Sequence, residues 1–316
     1  MSLPLLDKLA EIAFLVVLSP LVTGLIKKLK ARLQCRRGPG LLQPYRDLSK
    51  LFRKGRVLSR DATFVFRAVP PLVLGATAAA ATLVPVLAAR PRSGEAGSIL
   101  GDAILLLGLL ALARFAMALG ALDAGGAFGG MGAAREMTVG ALTEPVMGLV
   151  LFGVALGHGT TDLAGLTAER ASLGTGIATA GTLLGLLAAL VVLVAETGRI
   201  PFDNPDTHLE LTMMNEGMIL EHSGPGLGCI VLATHLKQAL LMALVADLFF
   251  PFGIAREPGG AALLLGAGAF VAKVVALAAV LALIESTAAK VRFFHLPSLL
   301  FASAALGFLA LIVRAL

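Results

Sequence analysis

The feature that most constrains this chain is a series of eight apolar runs, each about 18 to 24 residues long. A helix of that length crosses the roughly 30 Å of hydrocarbon in a bilayer, and lipid offers the backbone no hydrogen-bond partners outside the helix itself. The runs are Leu9–Ile26, Val69–Leu87, Ile99–Leu122, Val139–Leu156, Leu173–Ala195, Leu227–Phe250, Ala261–Ile284 and Leu296–Val313. They leave no stretch for a separate soluble domain. The sequence therefore predicts one all-α integral membrane domain, residues 1–316, with about eight transmembrane helices and cytoplasmic amphipathic helices.

The distribution of lysine and arginine predicts the orientation in the membrane. Of the 26 such residues, 13 lie between Lys27 and Arg67. With eight spans, the loops on that side hold 17, the opposite side holds six and three lie inside the runs. Because cytoplasmic loops carry the excess of basic residues, we predict a multi-pass protein of the bacterial cytoplasmic (inner) membrane with both termini outside. Residues 27–67 are then a basic cytoplasmic loop, and the net charge of +6 indicates contact with the bilayer and not with nucleic acid.

The cysteine content excludes a redox centre bound by this chain alone. Cys35 and Cys229 are far apart and neither belongs to a CxxC pair, whereas iron–sulfur clusters need several thiolates. The sequence also has no zinc motif and no nucleotide-binding fingerprint. We therefore expect no cofactor in this chain and place any redox chemistry in partner subunits.

The basic loop contains the segment QCRRGPGLLQPYRDLSKLFRKGRV from Gln34. Pro44 suits the first turn of a helix, and Gly55 suits its end. Apolar and aromatic side chains from Tyr45 to Phe52 share one face, and basic side chains lie mostly on the other. This pattern predicts an amphipathic helix on the membrane surface, with a solvated basic loop as the alternative.

A glycine-rich segment, GGAFGGMGAAREMTVGALTEP, precedes the fourth apolar run. Its glycines predict a flexible or closely packed loop over residues 125–132, and Thr138 can cap the span that follows. Glu144 then lies about two turns into the span, where a charge is costly in lipid. We expect Glu144 to face protein or water; the alternative is a structural pair with Arg135 or Arg114.

The fifth run leads directly into AETGRIPFDNPDTHLELTMMNEGMILEHSG, an acidic segment (residues 196–226) expected to form a cytoplasmic loop and helix. Pro201 and Pro205 disfavour helix at the residues before them. Thr207 and Glu210 form a capping box, which predicts a helix to about His222 with Gly224 as its stop. This helix is apolar on most sides and so should be buried. Its acids should face a polar cavity or basic groups, and the alternative is a solvated acidic face.

Ionisable residues also lie inside the apolar runs: Asp102 and Arg114, Lys237 and Asp247, Lys273 and Glu285. Isolated pairs of this kind can be structural. A series of carboxylates with lysines between them suits a proton relay, because burial and neighbouring charges change their protonation equilibria. The candidate proton or ion pathway comprises Glu144, Glu196, Asp203, Asp206, Glu210, Glu216, Glu221, Asp247, Lys273 and Glu285.

Three motifs, ETGRIPFDNPD…E…EHSG, RRGPGLLQPYRDLSKL and REMTVGALTEP, resemble the membrane subunit of respiratory complex I that joins the peripheral and membrane arms and forms much of the quinone tunnel. The resemblance covers nearly the whole chain. It is closer to the counterparts in group 4 NiFe-hydrogenases, in the formate hydrogenlyase and hydrogenase-4 branch. The first loop lacks the longer insert of complex I, DTHLE stands where complex I has ExESE, and the helix before EHSG is about three residues longer. His222 also replaces the usual tyrosine. All of these departures lie where quinone access would be shaped, and they therefore disfavour bound quinone.

The resemblance implies a non-catalytic coupling or anchor subunit of an ion-translocating hydrogenase complex, and the alternative is the quinone-site subunit of a complex I-like enzyme. The implied partners are hydrogenase-like large and small subunits, a ferredoxin-like iron–sulfur subunit and antiporter-like membrane subunits. These partners would carry the iron–sulfur clusters and the NiFe centre. The residues that would dock the peripheral arm or pair with its charges are Arg37, Arg46, Arg114, Arg135 and Arg199.

Two other classes fit the sequence less well. A free-standing secondary transporter often has broken helices repeated in both halves, and we find no such repeat. A passive anchor has no need of Glu144 or Glu285 within its spans.

Overall fold

The computed structural model describes residues 3–59, 61–87, 102–173, 179–203, 213–254 and 260–315. Within these ranges the regular structure is helical, apart from one isolated bridge between Asp102 and Asp162. The α-helices are α1 (Leu3–Leu33), α2 (Gln43–Arg53), α3 (Phe64–Ala81), α4 (Ala103–Asp123), α5 (Ala127–Leu156), α6 (Leu163–Leu173), α7 (Ala180–Glu196), α8 (Asn215–Ile219), α9 (Gly224–Phe249), α10 (Gly260–Thr287) and α11 (Leu296–Ala315).

Eight of these helices correspond to the eight apolar runs, which confirms the predicted all-α membrane fold. Seven are at least 18 residues long and apolar enough to cross a membrane. The eighth, α7, has 17 residues and a length of roughly 26 Å, at the lower limit for a span.

The central helix is α9, which packs against α1, α2, α3, α7 and α10. Residues 239–246 of α9 are apolar and buried on all sides, as expected for a helix inside a bundle. A second set of contacts joins α3 to α4, α4 to α5, and α5 and α7 to α11. We call the end of the bundle that carries residues 34–63, between α1 and α3, the basic end.

The predicted amphipathic helix is present as α2, and the alternative of a solvated loop is wrong. Pro44 lies in its first turn, and Pro44 and Leu48 are buried. The Tyr45 hydroxyl donates to the Val17 carbonyl of α1. A Cβ on Gly228 of α9 would lie 3.3 Å from the Phe52 ring, so α2 is docked on the bundle through α1 and α9.

The predicted glycine-rich loop is mostly wrong, because α5 begins at Ala127 and not near Val139. Thr138 lies inside the helix, where its hydroxyl donates to the Ala134 carbonyl. Glycine normally weakens a helix, but here it permits contact between backbones. A Cβ on Gly129 would lie 2.9 Å from the Ala121 carbonyl oxygen, and one on Gly132 would lie 2.8 Å from that of Met214.

The long helix predicted to reach His222 is also wrong in the part that the structure describes; its capping box, Thr207 and Glu210, lies outside the described residues. Met213 and Met214 are not helical, and α8 covers only Asn215–Ile219. The Met214 amide donates to the Asp203 carboxylate at 3.1 Å. It therefore does not make the backbone hydrogen bond that a continuous helix would require.

Gly224, predicted as a helix stop, instead begins α9. Its φ is +53°, and a Cβ there would lie 2.5 Å from the Gly55 carbonyl oxygen. A residue with a side chain would be excluded by both its backbone conformation and this contact.

Cysteine labelling tests the predicted orientation of the bundle. In a Cys35→Ser, Cys229→Ser background, we expect Lys54→Cys and Ser172→Cys to react with a membrane-impermeant thiol reagent from opposite sides. Both side chains are exposed. Lys54 directly follows α2 and Ser172 lies in the last turn of α6, and an odd number of predicted spans separates the two positions. Labelling of both positions from one side would contradict the eight-span arrangement.

Candidate functional site

A buried arginine on α4, Arg114, is bound by carboxylates from two other helices. It is only 6% exposed. Its Nη1 donates to Glu144 of α5 and its Nη2 donates to Glu196 at the end of α7. A third carboxylate, Glu136 of α5, has Oε1 3.7 Å from Nε. The planar guanidinium suits this role because its fixed donors can serve several carboxylates at once.

Gly140 makes room for this arginine. A Cβ on Gly140 would lie 2.5 Å from Nη1 of Arg114, so a larger residue would displace the guanidinium. The glycine in REMTVG therefore has a specific structural reason: α5 must leave space opposite Arg114.

Lys237 of α9 completes what we call the Arg114 cluster (Arg114, Glu136, Glu144, Glu196 and Lys237). Its Nζ lies 2.7 Å from Oε2 of Glu196. Glu196 is thus held between two cations while it is 7% exposed. With all members ionised the cluster has three negative and two positive charges, so one carboxylate is left without a full counter-charge.

A cavity of about 70 Å³ adjoins this cluster. Its charged and amide groups come from Arg114, Glu136, Glu196, Asn215, Lys237 and Gln238. Val73 and Thr77 of α3, Met117, Met218, Ile230 and Ala233 are among its other walls. A water needs about 10–15 Å³ by this measure of volume, so the cavity has room for several waters against titratable groups.

A second group of buried polar residues, the Arg199 cluster, lies beside the first and comprises Thr23, Lys30, Arg199, Gln238 and Glu285. Arg199 donates to Glu285 of α10 and, at 2.8 Å, to Oε1 of Gln238. Lys30 lies 3.2 Å from the other oxygen of Glu285, and Thr23 donates to Gln238 at 3.1 Å. Gln238 also lines the cavity, so it joins the two clusters.

The turn at the end of α7 determines the position of Arg199. Gly198 has a φ of +57°, and the Arg199 amide returns to the Val194 carbonyl at 3.1 Å. This is the Schellman arrangement that ends many helices. It turns the chain directly after Glu196, so Glu196 and Arg199 enter different but neighbouring clusters.

Asp203 is 2% exposed but belongs to neither cluster. Its Oδ1 lies 3.1 Å from Lys290 Nζ, and its Oδ2 accepts the Met214 amide. These contacts fasten the chain after α7 to the segment between α10 and α11 and to the residues just before α8.

The remaining predicted residues occupy separate places. Asp206 and Glu210 lie outside the described residues. Glu216 is on α8 and Glu221 is exposed beside Gly126. Arg37 and Arg46 are exposed at the basic end. Arg135 donates to the Met213 carbonyl at 3.4 Å and lies 6.0 Å from the Phe293 ring centre.

Asp247 and Lys273 are not brought to the Arg114 cluster. The eight buried apolar residues of α9, 239–246, separate Asp247 from Gln238, a rise of roughly 14 Å. Asp102, also noted within a run, caps α4 by accepting the Ile104 amide at 2.9 Å. The predicted series of acids is thus divided between two levels of the bundle.

Sequence reasoning did not select Glu136, Lys30, Lys237, Gln238 or Lys290 as site residues. Lys237 and Gln238 are adjacent polar residues inside an apolar run, which was the available signal for α9. Glu136 directly follows Arg135 and is helical because α5 begins at Ala127, whereas the sequence predicted a helix only from about Val139.

His222 packs face to face on Phe66, with ring centres 4.0 Å apart and planes 6° apart. Burial lowers the pKa of His222 to about 4, with a smaller contribution from Arg56. The ring is therefore neutral at pH 7 and serves as an aromatic contact between the start of α3 and the loop before α9.

Among the residues that the structure describes, no group of three or more His, Cys, Asp or Glu side chains is placed to hold a metal ion.

The family described as NADH dehydrogenase matches residues 8–315 of this chain. Hydrogenase-4 component C of Escherichia coli (strain K12) is 37% identical over 303 residues, which cover 95% of this chain and 93% of that protein. Formate hydrogenlyase subunit 4 of the same strain is 33% identical over 306 residues, with 96% of each chain covered. NADH-quinone oxidoreductase subunit 8 of Rhodothermus marinus is 28% identical over 256 residues, with coverages of 76% and 73%.

One solved structure, of the membrane-bound sulfane sulfur reductase, an archaeal respiratory membrane complex, contains a chain of the same fold. The TM-score is 0.84 at 20% sequence identity, with 98% of this chain and 99% of that chain covered. The likeness establishes the fold.

Replacing the central arginine should destabilise the bundle strongly. Arg114→Met leaves buried carboxylates without their shared cation, and breaking a buried ion pair in this way costs about 3–5 kcal/mol. Arg114→Met with Glu196→Gln should recover part of the loss, because one orphaned charge is removed. The measurement is unfolding of the full chain in detergent micelles. Exposed Arg46→Met is the control, expected within about 0.5 kcal/mol of wild type; equal stability of Arg114→Met and Arg46→Met would contradict the central role.

Proposed function

Because this chain belongs to the NADH dehydrogenase family and is a membrane subunit of a respiratory complex, we propose that it is the coupling subunit of an ion-translocating group 4 NiFe-hydrogenase of the formate hydrogenlyase type. It catalyses no redox step itself. It links a peripheral redox arm to an ion pathway in the membrane arm.

The family comparison supports the hydrogenase branch in two ways. The two relatives named for hydrogenase-4 and formate hydrogenlyase are 37% and 33% identical and are covered over 93% and 96% of their lengths. The relative named for NADH-quinone oxidoreductase is 28% identical and is covered over 73% of its length.

The observation that carries the coupling role is the sharing of Arg114 among three carboxylates beside a polar cavity. A carboxylate that loses its share of Arg114 becomes able to take a proton, since an ionised acid in the interior needs a counter-charge. Small movements of the guanidinium between Glu136, Glu144 and Glu196 would therefore change which of these carboxylates binds a proton. The cluster has the parts of a charge relay, with Glu196 next to the cavity as its first member.

The Arg199 cluster extends this relay by way of Gln238. Glu285 is held by both Arg199 and Lys30, and Gln238 contacts Arg199 while lining the cavity. In the proposal these residues pass a change of charge at the cavity to α1 and α10, where further membrane subunits would pack. Asp203 and Lys290 fasten the chain after Arg199 to the segment that follows α10.

The basic end is the proposed docking surface for the peripheral arm. Arg37 and Arg46 are exposed there, and an open groove beside α2 is lined by Arg46, Lys50, Arg53 and Lys54. The proposed partners are hydrogenase-like large and small subunits with an iron–sulfur subunit, and antiporter-like subunits within the membrane. This orientation puts the basic end in the cytoplasm, in keeping with the positive-inside rule.

The alternative is a quinone-site subunit, which the cavity disfavours. Pockets that hold small organic ligands have volumes of about 300–1,000 Å³, and the cavity beside Glu196 has about 70 Å³. Its size and charged lining suit waters better than a quinone head group.

Purification of the tagged chain with its native partners tests the assignment. We expect a complex that contains stoichiometric nickel and iron and evolves hydrogen. A nickel-free complex that reduces quinone would overturn the proposal in favour of the alternative.

Charge substitution tests the relay. Glu196→Gln nearly preserves volume and keeps one acceptor oxygen but cannot titrate. We therefore expect an assembled complex whose donor-driven hydrogen evolution falls at least about tenfold, within the range of a lost proton-transfer group. Asp203→Asn should also lower turnover. The measurement pairs native gels with turnover in membranes.

A double variant separates titration from charge balance. Glu196→Gln with Lys237→Gln removes one acid and one base, so it keeps the wild-type net charge of the cluster and should assemble as well as wild type. Turnover should nevertheless stay low; recovery of turnover in the double variant would show that the net charge of the cluster alone matters. Glu169→Gln is the matched control, because the Glu169 side chain is about half exposed and lies outside both clusters, with its carboxylate 3.2 Å from His158 Nδ1.

A further inference from the structure

Three ionisable residues lie together at the end of the bundle opposite the basic end. They are Glu11 of α1, Asp247 of α9 and Lys273 of α10, and these three helices pack against one another. Lys273 and Glu11 both act electrostatically on Asp247. Among the described residues of the helices around α9, they are the charges that do so.

Asp247 is the unusual member of this group. It is 1% exposed, and neither of its carboxylate oxygens has a hydrogen-bond partner among the described residues. Glu11, by contrast, lies 2.8 Å from Lys8 Nζ and accepts the Leu87 amide at 3.4 Å. One acid is therefore fixed by donors, and the other has none.

An ionised carboxylate without donors is not stable in such surroundings. The idealised cost of burying an isolated charge is tens of kcal/mol, and a buried group escapes that cost by becoming neutral. Asp247 thus carries a proton in the arrangement seen. Lys273, half-buried on the facing helix, is the cation that could replace this proton.

The group is separate from the Arg114 cluster. Apolar residues 239–246 lie between Gln238 and Asp247 on α9. On α10, Lys273 and Glu285 are 12 residues apart, or roughly 18 Å. Residues 239–246 of α9 and 274–284 of α10 are all apolar, so neither helix has a polar side chain between the two levels.

We propose that Asp247, Lys273 and Glu11 form a second, occluded proton-binding site, at the opposite end of the bundle from the Arg114 cluster. When the site empties, the O–H bond of Asp247 breaks, the proton passes to water, and the Lys273 ammonium moves onto the carboxylate as its counter-ion. Lys273 keeps its own protons, so one proton is released for each carboxylate formed. Glu11 is the fixed negative charge that favours the proton-loaded form.

A proton suits this site better than a metal cation. Hard cations are held by several oxygen ligands, as Ca²⁺ and Mg²⁺ sites illustrate, and here one unpartnered carboxylate lies near an ammonium that would repel a second cation. The proposal is independent of which complex the chain belongs to.

Infrared difference spectroscopy of the full chain in lipid nanodiscs, recorded in D₂O across a pH titration, tests the site. The expected result is a carbonyl band of a protonated, buried carboxyl group that Asp247→Asn removes. In Lys273→Met the band should persist to a pH at least about one unit higher than in wild type, because the cation that stabilises the carboxylate is gone. In Glu11→Gln the band should disappear at a lower pH than in wild type, because a neighbouring negative charge is gone.

Exposed Glu169→Gln is the control and should leave the band unchanged. A wild-type spectrum without such a band, a band that survives Asp247→Asn, or equal titration in Lys273→Met and wild type would each overturn the proposal. Loss of the band on exchanging potassium for sodium would also overturn it, since sodium would then be the occupant. If Asp247→Asn does not fold, the wild-type band and the opposite shifts of the other two variants still decide the matter.

Discussion

The structure depends on one buried guanidinium shared by carboxylates from two helices. Arg114 links α4 to α5 through Glu144 and to α7 through Glu196, and Lys237 then joins α9 to the same group. Four helices that could pack in several registers as plain apolar rods are tied together at one level. Buried pairs are costly to break even where they contribute little net stability, so the cluster fixes the alignment of the helices more than it strengthens their packing.

The sequence predicted the parts of the fold that are determined locally. An apolar run is long enough to span or it is not, and eight runs gave the eight long helices. Pro44 and the alternation of apolar and basic residues likewise predicted α2. The start of α5 could not be predicted in this way, because Gly129 and Gly132 pack closely on the backbones of Ala121 in the preceding helix and of Met214, which is remote in the chain.

For the candidate site, too, the sequence predicted what depends on local features and not what depends on contacts between helices. Glu144 stood out because acids are rare within apolar runs, and Glu196 because it directly follows one. Pairing of Glu144 with Arg114 was one of two structural alternatives. Nothing local indicated that Lys237 would meet Glu196 or that Glu136 would face the arginine. The direction of a side chain around a helix is known only when its neighbours are known. The Met214 amide bound to Asp203 shows in the same way how a tertiary contact can take a residue out of a helix that the sequence predicts.

The contact of Gly224 with Gly55 also bears on how the molecule could transmit force. Two backbones touch there without side chains between them, and the Ser223 hydroxyl donates to the Val57 carbonyl at 2.7 Å while accepting the Val57 amide at 2.8 Å. The loop after α2 is thereby clamped to the first turn of α9, a rod of 26 residues. The loop and the first turn of α9 should therefore move as one unit, and Lys237 lies about four turns further along the same helix.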